Sequence, residues 1–151
     1  MFFKIKAYGE KITLKPRLEL YSVEDFMGTE LPGLAICLDE VDEDGNPTEQ
    51  YAVLTVSFGE FIGMKNVAYI DTNNNRWAHD ELLEKRPDII MNTGFTKRSG
   101  FCEYPLWAFA EDFLKEIGPE NYKIYSDAYD AYMRSFMGGD EDEEEEKEGE
   151  E

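Results

Sequence analysis

Strand-like patterning runs from Leu31 to Phe58. It begins Leu31-Pro-Gly, continues as Leu34-Ala-Ile-Cys-Leu38, passes an acidic turn at Asp42-Glu-Asp-Gly-Asn46 and resumes as Tyr51-Ala-Val-Leu-Thr-Val-Ser-Phe58. Two β-rich runs joined by Asp44-Gly45-Asn46 predict a hairpin, because Gly and Asn tolerate the positive φ of tight turns. Whether Asp44-Gly45 or Gly45-Asn46 forms the two-residue turn, parity sets Leu34, Ile36 and Leu38 on one face with Tyr51, Val53 and Thr55. Ala35 and Cys37 then share the other face with Ala52, Leu54 and Val56. Both faces are largely apolar, which places the hairpin in the middle of a sheet.

Phe2–Tyr8 and Ile12–Tyr21 read as two further strands joined at Gly9-Glu10. Pro16 has no N–H to give a ladder, so it implies an edge or a bulge. Ser22–Leu31 reads as a short helical turn or a loop, with Ser22 as cap and Asp25 three residues on. Gly59 and Gly63 bracket a turn before a strand at Val67–Ile70. Asp71–Asn75 offers N-caps for a helix over Arg76–Lys85, facing inward through Trp77, Ala78, Leu82 and Leu83 and stopped by Pro87. Ile89–Met91 reads as a strand, Thr93–Gly100 as a polar loop and Phe101–Tyr104 as an extended lead-in.

Pro105 suits the first turn of a helix. Leu106, Phe109, Ala110, Phe113, Leu114 and Ile117 follow at helical spacings and leave Trp107 off the stripe. After Gly118-Pro119, a last helix carries Tyr125, Ala128, Tyr129, Tyr132, Met133 and Phe136 on its core side. Strands first and helices last predict an α+β fold: an antiparallel sheet around the central hairpin, packed against the C-terminal helices.

Composition divides the chain. An aromatic content of 14% within 151 residues supplies a core for one domain over residues 1–137. Residues 138–151 hold nothing to bury and are expected to form a solvated, disordered acidic tail. Of the net charge of −19, the stretch Asp140–Glu151, ten acids against Lys147, carries −9 and leaves −10 on the body. Such a body repels nucleic acid and anionic membrane over a Debye length of roughly 8–10 Å and suits a basic protein partner. The plainer reading is solubility alone. Because no apolar residue lies beyond Met137, removing Asp140–Glu151 is expected to leave the thermal midpoint nearly unchanged. Loss of cooperative unfolding in the truncated protein would refute the boundary.

Cys37 and Cys102 lack CxxC spacing, Met1–Lys6 alternates apolar and charged residues, and no apolar run approaches the ~20 residues of a membrane span. These features predict a cytoplasmic protein with reduced thiols; a disulfide would need the two cysteine-bearing strands to be neighbours.

Candidate chemistry is sparse. His79 is the one histidine; no GxSxG surrounds Ser57 or Ser99, and His79 with two dispersed cysteines makes no zinc set. In Asp42–Glu49 the glycine stands fourth, not sixth, so a calcium loop fails. Gly94–Gly100 lacks the GxxxxGK[ST] order, yet its Thr96, Lys97, Arg98 and Ser99 concentrate donors that suit a small anion or carboxylate. No catalytic residue, metal set or cofactor is assigned.

The blocks Leu31-Pro-Gly-Leu-Ala, Tyr51-Ala-Val-Leu-Thr-Val and Arg98-Ser-Gly-Phe-Cys-Glu-Tyr-Pro-Leu-Trp-Ala-Phe109 resemble a family known as a domain of unknown function. Its members are small proteins of gut Firmicutes and their relatives, often carried on conjugative or phage-like elements. The resemblance implies an accessory role on a mobile element and no catalytic residues. Physically, its most specific block fits a tight turn at Gly100, a buried Phe101 and Cys102, and the Pro105 helix start. Two expectations follow. One is a non-enzymatic protein presenting Asp39, Glu40, Asp42, Glu43 and Asp44 to a basic, nucleic-acid-handling or host-defence partner. The other is a small-ligand enzyme or sensor using Thr96–Ser99, with walls from Tyr104 and Trp107.

Overall fold

In the computed structural model, which describes residues 1–137, the chain forms an α+β fold of two antiparallel sheets and two C-terminal helices. The first sheet is β1 (Phe3–Ala7), β2 (Glu10–Glu24), β3 (Glu30–Val41) and β4 (Pro47–Val53), side by side in that order. The second contains β5 (Thr55–Val56), β6 (Val67–Ile70), β7 (Ile90–Ser99) and β8 (Cys102–Phe109), ordered β5-β6-β8-β7. Helices α1 (Glu111–Ile117) and α2 (Pro119–Met137) follow. The acidic run of 138–151 lies outside the described residues.

β3 is the buried centre that the apolar run predicts, with Leu34 through Leu38 all buried, whereas its hairpin partner β4 is an edge. The turn is larger than expected. Gly45 N donates to Asp42 O (3.0 Å), Asp42 N donates to Asn46 O (2.9 Å), and Gly45 stands at φ 83°. This is a three-residue loop closed by a glycine bulge. The odd loop and further bulges around Asp39 reverse the predicted parity: Cys37 lies opposite Val53, and Leu38 opposite Ala52. Nor is Tyr51–Phe58 one strand. Leu54 N donates to Ile36 O and Leu54 O accepts from Asp71 N (both 2.9 Å), so the buried Leu54 carries the chain from one sheet to the other.

β1 and β2 turn at Tyr8-Gly9, with φ 52° and 81°, rather than at Gly9-Glu10. Pro16 sits on an interior strand, not at an edge. A two-residue hairpin makes Ala7 and Glu10 exchange both their bonds, so Glu10, Ile12, Leu14, Pro16 and Leu18 all aim toward β1. β1 ends at Phe3, opposite Leu14, and the missing N–H of Pro16 therefore breaks no ladder bond. Leu18 O, left open in the same way, accepts from Asn121 Nδ2 on α2 (2.8 Å). β2 also runs on through Ser22 to Glu24, which confines the predicted helical turn to a loop at Asp25–Thr29.

The helix expected over Arg76–Lys85 is a short π-helical turn at His79–Leu83, with Leu82 and Ala78 buried. The second sheet departs furthest from the predicted elements. Thr93–Ser99 is edge strand β7, kinked at Gly94 (φ 90°), and Pro105–Phe109 is interior strand, so α1 starts only at Glu111. Gly100-Phe101 is the two-residue turn between β7 and β8, and Phe101 is fully exposed there rather than buried. Phe3, Ile5, Leu14, Leu18, Ile36 and Leu38 from the first sheet meet Ile70, Trp107, Phe109, Phe113 and Leu114 in one core.

Candidate functional site

The far end of the β2–β3 ribbon, strand β6, the segment 57–64 and helix α2 enclose a cavity of about 270 Å³. Its lining is in large part aliphatic and includes six aromatic side chains: Tyr21, Phe58, Phe61, Tyr69, Tyr125 and Tyr129. β2 outruns β1, and its free edge fastens the 57–64 segment through Glu24 N to Gly59 O and Phe61 N to Glu24 O (both 2.9 Å). On the other side, Tyr125 Oη accepts from Asn66 N (2.8 Å), and burial pushes the Tyr125 hydroxyl far above the ordinary tyrosine range. Tyr21 Oη donates to Thr55 O (3.2 Å), with burial again raising its pKa.

The rings support one another. Phe58 packs edge-on against Tyr69 and Tyr104 (centroids 5.5 and 5.1 Å), and Phe61 lies between Tyr129 (5.8 Å) and Tyr132 (4.8 Å). Glu60 is the charged residue of the lining. It holds Lys97 Nζ at 3.1 Å, and the same ammonium sits 5.4 Å from the centre of the Phe58 ring. Lys65 repeats the arrangement, 6.0 Å from the Tyr129 centroid and 2.9 Å from Asp130. Beside the cavity, Tyr132 Oη donates to Asp25 Oδ2 (2.6 Å), which holds the Asp25 carboxyl below its usual range, while Asp25 Oδ1 accepts from Met27 N and Thr29 N.

The predicted acidic cluster divides. Asp39 accepts from Arg17 Nε (2.8 Å), and this bond, the largest cause, raises the Arg17 pKa. Asp42 Oδ1 caps its own loop by accepting from Asp44 N and Asn46 N (both 2.9 Å). Glu43 and Asp44 stand exposed at the tip, and Glu40 is half-buried on β3. The predicted basic loop, being strand, puts Thr96 and Arg98 on one face and Lys97 and Ser99 on the other. Lys97 is matched to Glu60, and Arg98 lies 3.6 Å from Glu103. Trp107 is in the core and walls nothing, whereas Tyr104 reaches the cavity through Phe58.

His79, Asp80 and Glu84 are exposed neighbours whose possible ligand atoms lie within 4.8 Å of one another. The site holds His79 Nδ1 at 3.0 Å from Asp80 Oδ1. Cys37 and Cys102 are free and belong to different sheets, and burial raises the Cys37 pKa. No helix among the described residues is long and apolar enough to cross a membrane. The aromatic cavity is the feature that sequence reasoning missed. Its one local signal is the tyrosine series at 122, 125, 129 and 132, which reads equally as core.

Residues 21–129 match the family model described as Domain of unknown function (DUF4313), a span that contains all the blocks on which the resemblance rests. No curated protein and no solved structure matches the chain.

Proposed function

This chain belongs to the DUF4313 family, whose description assigns no activity, and from that premise we propose that it is a non-enzymatic binding protein whose acidic surface engages a basic protein partner. What carries the reading is where the cations go. Arg17, Lys65, Lys85, Arg86, Lys97, Lys115 and Lys123 each lie within 3.1 Å of a carboxylate of the same chain. These cations are already engaged internally, and the excess of −10 on the body is left for a partner to meet. The mobile-element accessory role that the sequence resemblance implies would favour, as partner, a cytoplasmic nucleic-acid-handling or host-defence protein, since these carry basic clefts. An enzyme or sensor built on Thr96–Ser99 has less support, because those side chains alternate between the two faces of β7.

The test is a charge-block variant. Glu40→Gln, Glu43→Gln and Asp44→Asn together spare Asp39 and Asp42, which hold Arg17 and the loop. Capture of a basic protein from a lysate of the native host is expected to fall in this variant and to fall further as salt rises, with the thermal midpoint unchanged. Equal capture by the wild type and the variant at low and high salt would sink the proposal.

A further inference from the structure

We propose that the aromatic cavity between α2, β6 and the 57–64 segment binds an organic cation: an alkylated ammonium group carried on a small apolar body. This site lies apart from the hairpin-tip carboxylates and stands or falls independently of them.

Three observations converge on that class. Six lining residues are aromatic and most of the others aliphatic, among them Val23, Leu34, Ile62 and Met64; the charged residue among the lining is the carboxylate of Glu60, and neither lysine nor arginine lines the space. Ring faces carry negative quadrupole charge, so such walls favour a cation. The chain already uses the same chemistry on two of the wall rings. Lys97 and Lys65 each sit over a ring of the cavity wall, Phe58 and Tyr129, with a carboxylate at hydrogen-bond distance. Ring plus carboxylate is therefore a working ammonium site twice over on this surface. Finally, a volume of about 270 Å³ suits a ligand the size of a choline group rather than a large cofactor. The net charge of −10 on the body raises the local concentration of cations around it.

Glu60 is suited to accept the ligand. Its side chain is two-thirds exposed (67%), and its present partner Lys97 comes from the edge strand β7. An entering ammonium group would share or replace that contact, while its methyl groups bury against Tyr129, Phe61 and Phe58. The ligand class has two sources, a free small molecule or a methylated lysine side chain of a protein.

Titration calorimetry on the full chain with three matched probes tests the proposal: choline, its neutral isostere dimethylbutanol and the anion dimethylbutanoate. Choline is expected to bind about 3- to 30-fold more tightly than the neutral isostere, the range a cation–π contact supplies, and the anion more weakly still. Glu60→Gln and Tyr129→Leu are each expected to weaken choline without changing dimethylbutanol by the same factor. Their thermal midpoints are read alongside, and Glu60→Gln, on an exposed side chain, keeps the test valid if Tyr129→Leu unfolds. A trimethyllysine peptide separates the sources: tighter binding than choline assigns the site to a protein side chain, equal or weaker binding to a free molecule. Binding of dimethylbutanol as tight as that of choline, indifference of choline to Glu60→Gln, or no binding of any probe overturns the inference.

Discussion

Replacing Trp107 with alanine is expected to cost about 3–5 kcal/mol of stability, read as a fall in the urea midpoint at unchanged slope. Sequence spacing makes Trp107 the mild position, since it falls off the helical stripe of Leu106, Phe109 and Phe113. In the fold it is 1% exposed, in the middle of interior strand β8, opposite Ala68 and Asn92. Its Nε1 has no hydrogen-bond partner among the described residues. An orphan buried donor is costly, so Trp107→Phe, which removes it and keeps most of the ring volume, is expected to lose less than half as much as Trp107→Ala. Phe113→Ala belongs in the same 3–5 kcal/mol range, because its ring lies 5.8 Å from Phe3 and 6.1 Å from Phe109 and is 2% exposed. A loss below about 1 kcal/mol for Trp107→Ala would contradict a strand at Pro105–Phe109 and restore the helix.

Gly118→Ala is expected to destabilise by about 1–3 kcal/mol through overpacking alone. The backbone is not the reason: φ at Gly118 is −173°, extended and open to any residue. Contact is the reason. An added Cβ would stand 2.7 Å from Leu18 Cβ and 3.2 Å from Leu18 O. Leu18 cannot retreat easily, since its side chain is 2% exposed in the core and its carbonyl accepts from Asn121 Nδ2 at 2.8 Å. The corner between α1 and α2 is thus seated on the backbone of β2. If chemical denaturation shows Gly118→Ala within about 0.5 kcal/mol of wild type, the helices do not rest where Leu18 and Asn121 place them.

Local chemistry decides part of this architecture without help. The five-residue apolar run Leu34–Leu38, bounded by Gly33 and by the Asp-Gly-Asn turn, reads as a strand covered on both faces, and β3 is that strand. The alternation Phe3, Ile5, Ala7 gives β1 its buried face in the same way. The α+β class and the acidic excess were readable on similar grounds. Register was not: a three-residue loop and a two-residue loop use the same Asp-Gly-Asn letters, yet one extra residue exchanges the faces.

The helix predicted from Pro105 fails for a related reason. The end of β8, Leu106–Phe109, is apolar at every position and largely buried, so Leu106 and Phe109 match a helical period by accident, while the buried Trp107 falls off it. Thr93–Ser99 has almost no apolar signal, because an edge strand takes its stability from ladder bonds to β8 rather than from burial. The cavity was the least legible of all. Its walls come from Tyr21 on β2, Phe58 and Phe61 in a loop, Tyr69 on β6 and Tyr125 and Tyr129 on α2. Nothing local marks these rings as neighbours. What gathers them is that β2 outruns β1 and that α2 is seated on Leu18, both consequences of long-range packing.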